Sequence, residues 1–173
     1  MQTPRNQVSD AVSRRYDSLS KEPCCLSCGG AVTHANVKSG EACVDLGCGK
    51  GMDVIRMAIR AGISGSATGI DISEGMLETA KQNAERAGVS NAVFIYSPLE
   101  QINLPDACAD VVISNCTINH SLSQGRVWQE IFRILKPGGR FVVSDIYAID
   151  KVADTYRTNP EYISECWAGA ETR

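Results

Sequence analysis

Two hydrophobic rhythms alternate along the chain. Val8, Val12, Tyr16 and Leu19 recur at helical spacing and predict an amphipathic helix over residues 5–19. Residues 20–38 are rich in Ser, Gly and Cys and predict irregular structure. Five short apolar runs then read as strands, at 41–46, 67–72, 92–96, 109–114 and 140–146. Between them lie helical patterns. Residues 52–61 place Ile55, Ala58, Ile59 and Gly62 on one face, with Asp53, Arg56 and Arg60 outside. Ser73 is a predicted N-cap for a helix running through Ala87, with Gly88 as its left-handed stop. Residues 124–135 carry Val127, Ile131, Ile134 and Leu135 and stop at Pro137-Gly138-Gly139. Strands alternating with helices predict an α/β fold with a doubly wound, mostly parallel sheet. Residues past Tyr147 show weak periodicity and are expected to be poorly ordered.

The first strand runs into Asp45-Leu46-Gly47-Cys48-Gly49-Lys50-Gly51, and a helix opens directly behind it. Such a turn lets backbone N–H groups and a helix N-terminus approach a ligand closely. About 20 residues past Gly51, Asp71 ends the second apolar run, where a carboxylate can accept hydrogen bonds from ribose hydroxyls. The pairing predicts a nucleoside-containing cofactor. Dinucleotide turns normally follow G-x-G-x-x-G, whereas here every second residue is glycine and an acid stands in front. Asp45 repels a pyrophosphate.

Composition narrows the class. The 173 residues allow one domain with a real core, and the net charge of −3 gives no footprint for nucleic acid. The N-terminus lacks an apolar signal core, and no run reaches membrane-spanning length, so a cytoplasmic location with no membrane partner is expected. Eight cysteines are many for a cytosolic chain. A reducing compartment disfavours a disulfide framework, which turns attention to metal, metalloid or redox chemistry.

The D-L-G-C-G-K-G run resembles motif I of the Rossmann-like S-adenosylmethionine (SAM) methyltransferases, and Lys136-Pro137-Gly138-Gly139-Arg140 before an apolar strand is similar to a later segment of that family. The resemblance spans about residues 41–147. It implies SAM as cofactor, with Asp45, Gly47, Gly49 and Gly51 along the methionine moiety and Asp71 on the ribose. Ile72 and Met76 would then pack near the adenine, Leu99 and Glu100 would face it, and Asn115 would sit under the sulfonium end. Met76 reads equally well as helix core. Tyr16 is either a lid over the cofactor or simply the apolar face of its helix.

A narrower resemblance follows from Ser114-Asn115-Cys116-Thr117-Ile118-Asn119. The arsenite methyltransferases carry S-N-C-x-x-N after the fourth strand. Cys24-Cys25 behind the N-terminal helix and Cys166-Trp167-Ala168-Gly169-Ala170 near the end are similar to further segments of that family. The resemblance implies methyl transfer to As(III), free or as a glutathione or other thiol conjugate, with a thiol reductant as co-substrate. The arsenic ligands would be Cys116, Cys166 and one of Cys24 and Cys25, with Cys25 the preferred third. Trivalent arsenic is thiophilic, and its lone pair can attack a methyl group without a general base. Residues 1–38 then form a helix and a cysteine-bearing lid, 39–150 the SAM-binding core, and 151–173 a segment carrying the last ligand.

Other readings stay open. Cys43, Cys48 and Cys108 read as packing or loop residues. Cys25-x-x-Cys28 suggests zinc, yet no second such pair exists, and His34 and His120 are poorly placed by sequence to complete a site. In place of the family's Y-G-C-G-like segment stands only Cys28-Gly29-Gly30, and the final strands of the usual seven are expected to be missing beyond Arg173. That would leave residues 140–146 as an apolar edge for a second copy or another partner to cover. The rival functions are a methyltransferase acting on a small organic acceptor and a truncated, non-catalytic SAM- or metalloid-binding module.

Overall fold

The computed structural model describes residues 4–23 and 29–172. Its sheet has five parallel strands in the order β3-β2-β1-β4-β5. These are β1 (Ala42–Leu46), β2 (Ser66–Asp71), β3 (Ala92–Tyr96), β4 (Ala109–Asn115) and β5 (Leu135–Ser144). The helices are α1 (Pro4–Leu19), α2 (Ala31–His34), α3 (Met52–Ala61), α4 (Glu74–Arg86), α5 (Gln124–Ile134), α6 (Asp154–Arg157) and α7 (Pro160–Ser164). Tight single turns cover Ile118–His120 and Trp167–Gly169.

The strand period of two explains the layering. Cys43, Ala67, Val111 and Ile113 face one side of the sheet and pack with Val32 of α2, Met57 of α3 and Leu77 of α4. Val44, Leu46, Ile70 and Val112 face the other and pack with Val127, Ile131 and Ile134 of α5. Covering both faces is what the near-continuous apolar strands require. Ser73 caps α4 by accepting Met76 N–H at 3.0 Å, and Gly88 takes φ +67° just beyond its end.

Several expectations need correction. Within residues 20–38 the four-residue α2 is ordered, with Ala31 and Val32 buried. On α3 it is Ile59 that is 63% exposed and Asp53 that is buried, because the helix turns its first carboxylate inward under the sheet's carboxyl edge. Strand β5 starts at Leu135 directly after α5; its pairing jumps from Ala109–Leu135 to Val111–Arg140, so Lys136-Pro137-Gly138-Gly139 loops out of the ladder. β5 is an edge strand of this sheet.

The segment past Tyr147 is folded rather than poorly ordered. Ile163 and Ala168 form a small cluster with Val8 and Val12 of α1, flanked by Tyr16, Ile72 and Trp167. Arg157 donates to Ala170 O and pairs with Glu171, and Ala148 bridges to Thr172. Weak periodicity there reflects helices of four and five residues, too short to repeat a pattern.

Candidate active site

A cavity of about 710 Å³ opens at the carboxyl ends of β1, β2 and β4. Open α/β sheets bind ligands at that edge, and pockets of about 300–1,000 Å³ hold cofactor-sized molecules. One end is the glycine turn after β1. Gly49 takes φ +50°, and a Cβ there would point into open space, so the bare backbone faces the cavity. Gly49 N–H donates to Asp71 Oδ2 at 2.9 Å, and Ser73 N–H donates to Asp71 Oδ1 at 2.9 Å. Asp71 thus stitches the turn to the end of β2. Burial raises its pKa, and those backbone hydrogen bonds pull it back.

Asp45, in central β1, is 3% exposed and lines the same cavity. Its pKa is driven well up by burial and then by the like charges of Asp53 and Asp71. A buried carboxylate in that state is costly until a cation or donor reaches it. Asp53 is better supplied: Arg56 pairs with it at 2.9 Å, and Asn115 Nδ2 donates to Asp53 Oδ2 at 3.0 Å. Asn115 Oδ1 accepts Ala31 N–H at 3.1 Å, which locks the amide between α2 and α3.

The other end carries thiols. Cys116 ends the run from β4 with φ +52°, and Cys166 follows α7 with φ +73°. These are two of the four described non-glycine residues at positive φ, a region costing about 1–2 kcal/mol per residue. Neighbours hold both in place. Cys116 N–H donates to Ser144 O at 2.8 Å, and Cys166 N–H donates to Ile163 O at 2.9 Å. The Cys166 thiol donates to Cys116 O at 3.2 Å and approaches Asp145 Oδ1 at 3.5 Å. Burial, then the Asp145 charge, pushes the Cys166 thiol far up, so it stands protonated.

Between the ends, α1 closes the cavity. Tyr16 reaches His120 Nε2 at 3.0 Å, and burial first, with nearby negative groups, lifts its phenol to about 12. Asp17 Oδ1 accepts Ser73 Oγ–H at 2.6 Å and Gly75 N–H at 3.0 Å, docking α1 on the start of α4.

Asp45, Gly47, Gly49, Asp71, Ile72, Leu99, Asn115, Cys116 and Cys166 all line this one cavity. Three expected residues do not. Met76 is fully buried in α4. Gly51 packs its Cα side against Ala80 and Phe94, where a Cβ would come within 2.8 Å of each. Glu100 sits behind the wall and accepts Ser121 Oγ–H at 2.6 Å. Cys24, Cys25 and Cys28 lie outside the described residues, so the third thiol does too. Among the described residues no group of three or more His, Cys, Asp or Glu is arranged to hold a metal ion. Asp53 and His120 line the cavity and were not among the expected site residues. Asp53 has a signal, an acid two residues past the glycine run; His120 has none.

A family model described as a methyltransferase domain matches residues 37–173, which take in the glycine turn, the sheet, Cys116 and Cys166. The chain belongs to the methyltransferase domain family. The arsenite methyltransferase of Aquipseudomonas alcaligenes is 35% identical over 172 residues, covering 95% of this chain and 46% of that protein. The Homo sapiens arsenite methyltransferase is 34% identical over 136 residues, covering 73% of this chain and 36% of that protein. The crystal structure of CrArsM, an arsenic(III) S-adenosylmethionine methyltransferase from Chlamydomonas reinhardtii, superposes with a TM-score of 0.73 at 34% identity. That match covers 93% of this chain and 57% of that one. The chain therefore spans less than half the length of these curated relatives. It carries its cavity at the carboxyl edge of a Rossmann-like parallel sheet. No helix among the described residues is long and apolar enough to cross a membrane.

Proposed function

We propose that this methyltransferase domain binds SAM at the glycine-turn end of the cavity and transfers its methyl group to As(III) held by cysteine sulfur at the other end. The observation that carries the reading is a single cavity with a buried carboxylate, Asp45, at one end and Cys116 and Cys166 at the other. The donor set fits the cofactor. Asp45 offers a buried negative charge to an amino group or sulfonium, the glycine turn offers bare backbone, and Asp71 keeps lone pairs beyond its two backbone contacts for a ribose hydroxyl. When bound, SAM supplies a methyl group on a positively charged sulfur.

The chain's own residues bind, orient and exclude water. Trivalent arsenic is a thiophilic substrate, and Cys116 and Cys166 would present sulfur to it, with Cys25 or Cys24 as third ligand. Each Cys–S–As bond forms as an As–OH or As–thiolate bond breaks, so the proton of Cys166 leaves with the departing hydroxide as water or with the departing thiolate as free thiol. An arsenic lone pair carries no proton, so no general base is needed for transfer. The rate advantage would come from holding arsenic in line with the sulfonium, a positioning effect. A thiol such as glutathione would deliver As(III) as a conjugate and serve as reductant. Incubating the purified chain with SAM, As(III) and glutathione, with arsenic species separated by chromatography and elemental detection, tests this. Mono- or dimethylated arsenic is expected; its absence from a sample that demonstrably binds SAM would point to another acceptor.

A further inference from the structure

Neither methyl transfer nor thiol ligation uses His120, yet three segments of the cavity wall meet on its ring. His120 lies in the turn that follows Cys116; its Nδ1 is 2.7 Å from Ile163 O in α7, and its Nε2 is 3.0 Å from the Tyr16 hydroxyl of α1. A carbonyl only accepts, so Nδ1 carries a proton. Burial lowers the imidazole's pKa and keeps the ring neutral, which leaves a lone pair at Nε2 and makes Tyr16 the donor. The two rings meet edge-on, with centroids 5.4 Å apart and planes at 75°. The Ile163 carbonyl is shared, because it also accepts Cys166 N–H at 2.9 Å. That hydrogen bond helps hold the positive-φ backbone on which the Cys166 thiol is mounted.

We propose that His120 is a positioning residue with two separable tasks, Nε2 fixing the Tyr16 hydroxyl and so α1 across the cavity, and Nδ1–H fixing the Ile163 carbonyl and through it the Cys166 backbone. The assignment rests on the cavity wall and holds for an arsenic or an organic acceptor. Two replacements separate the tasks. H120N places an amide donor near the Nδ1 position and offers Tyr16 no acceptor. H120Q places an amide oxygen near the Nε2 position and gives up the bond to Ile163.

Hydrogen exchange along α1 and the alkylation rate of Cys166 by iodoacetamide, resolved by mass spectrometry, read the two tasks. H120N is expected to speed α1 exchange by about threefold to tenfold, the range of one net hydrogen bond. Y16F should match it, and Y16F/H120N should go no further, while Cys166 alkylation stays as in the unaltered chain. H120Q is expected to do the reverse, speeding Cys166 alkylation by a similar factor with α1 exchange unchanged. If both replacements move both readouts alike, or move neither, the assignment is wrong. If a histidine replacement fails to fold, Y16F alone decides: faster α1 exchange supports the contact, and unchanged exchange overturns it. Neither readout involves methyl transfer, so failure of the arsenic reading leaves this test standing.

Discussion

The two ends of the cavity are built in different ways. The glycine-turn end comes from one continuous stretch and the strand beside it: Asp45, Gly47 and Gly49 lie within five residues, and Asp71 closes on them through Gly49 N–H. The thiol end is assembled from the turn after β4, the segment after α7 and helix α1, which bring together Cys116, Cys166, His120 and Tyr16. The first is a binding surface dictated by local backbone. The second is assembled where α1 and the segment past β5 pack on each other, through Val8, Val12, Ile163 and Ala168.

That contrast can be broken most forcefully at Asp45. Asp45→Asn should weaken SAM binding by about tenfold or more, since hydrogen bonds to charged groups are worth about 1.5–3 kcal/mol, while stabilising the ligand-free fold. Titration calorimetry and thermal melts check both signs. The stability effect has a pH signature. Asp45 is an acid whose folded pKa is raised, so its contribution is intact below the ordinary carboxylate range and is lost as pH rises through the folded value. The stability gap between Asp45→Asn and the unaltered chain should therefore widen with pH over that window. A gap flat in pH would mean that folding does not raise the pKa of this carboxyl.

At the opposite end the sign concerns binding. Cys166 is held protonated and its proton leaves with the hydroxide or thiolate that arsenic gives up, so affinity for a trivalent arsenical should stay nearly flat across neutral pH. Affinity measured across neutral pH checks this, and a rise of about tenfold per pH unit would contradict ligand exchange at a protonated Cys166. Smaller effects sharpen the boundary between the ends. Asp71→Ala should cost about 1–3 kcal/mol of stability by orphaning Gly49 and Ser73 N–H, and should weaken SAM binding as well. Denaturant unfolding reads the first and calorimetry the second. Smallest of all, Ile59→Ala on the exposed face of α3 should stay within about 0.5 kcal/mol by denaturant unfolding.

Legibility in the sequence divides along the same line. The five strands and three long sheet-flanking helices follow from periodicity, caps and stops that are local, and β3 matches residue for residue. Local rules fail where a pattern is too short or too interrupted. Helix α2 has four residues, and Pro137-Gly138-Gly139 hides the start of β5. The α3 face is misjudged because the Asp53 carboxylate turns inward onto the cavity, where Arg56 and Asn115 satisfy it, against the amphipathic rule. Motif position places Asp45, Asp71 and Cys116 at the cavity, yet it also suggests Met76, whose side chain points into the core. The Tyr16–His120 contact spans 104 residues of sequence and joins two residue types with no shared motif. Nothing short of the packed structure brings it into view.

The claim that the two ends form one working site is tested most directly with Cys116→Ser, by assaying As(III)-dependent methyl transfer and SAM affinity in the same sample. The account predicts that methylated arsenic disappears while SAM affinity stays within about twofold, a change of about 0.4 kcal/mol. Arsenic methylation at the unaltered rate would contradict the thiol end as the acceptor site.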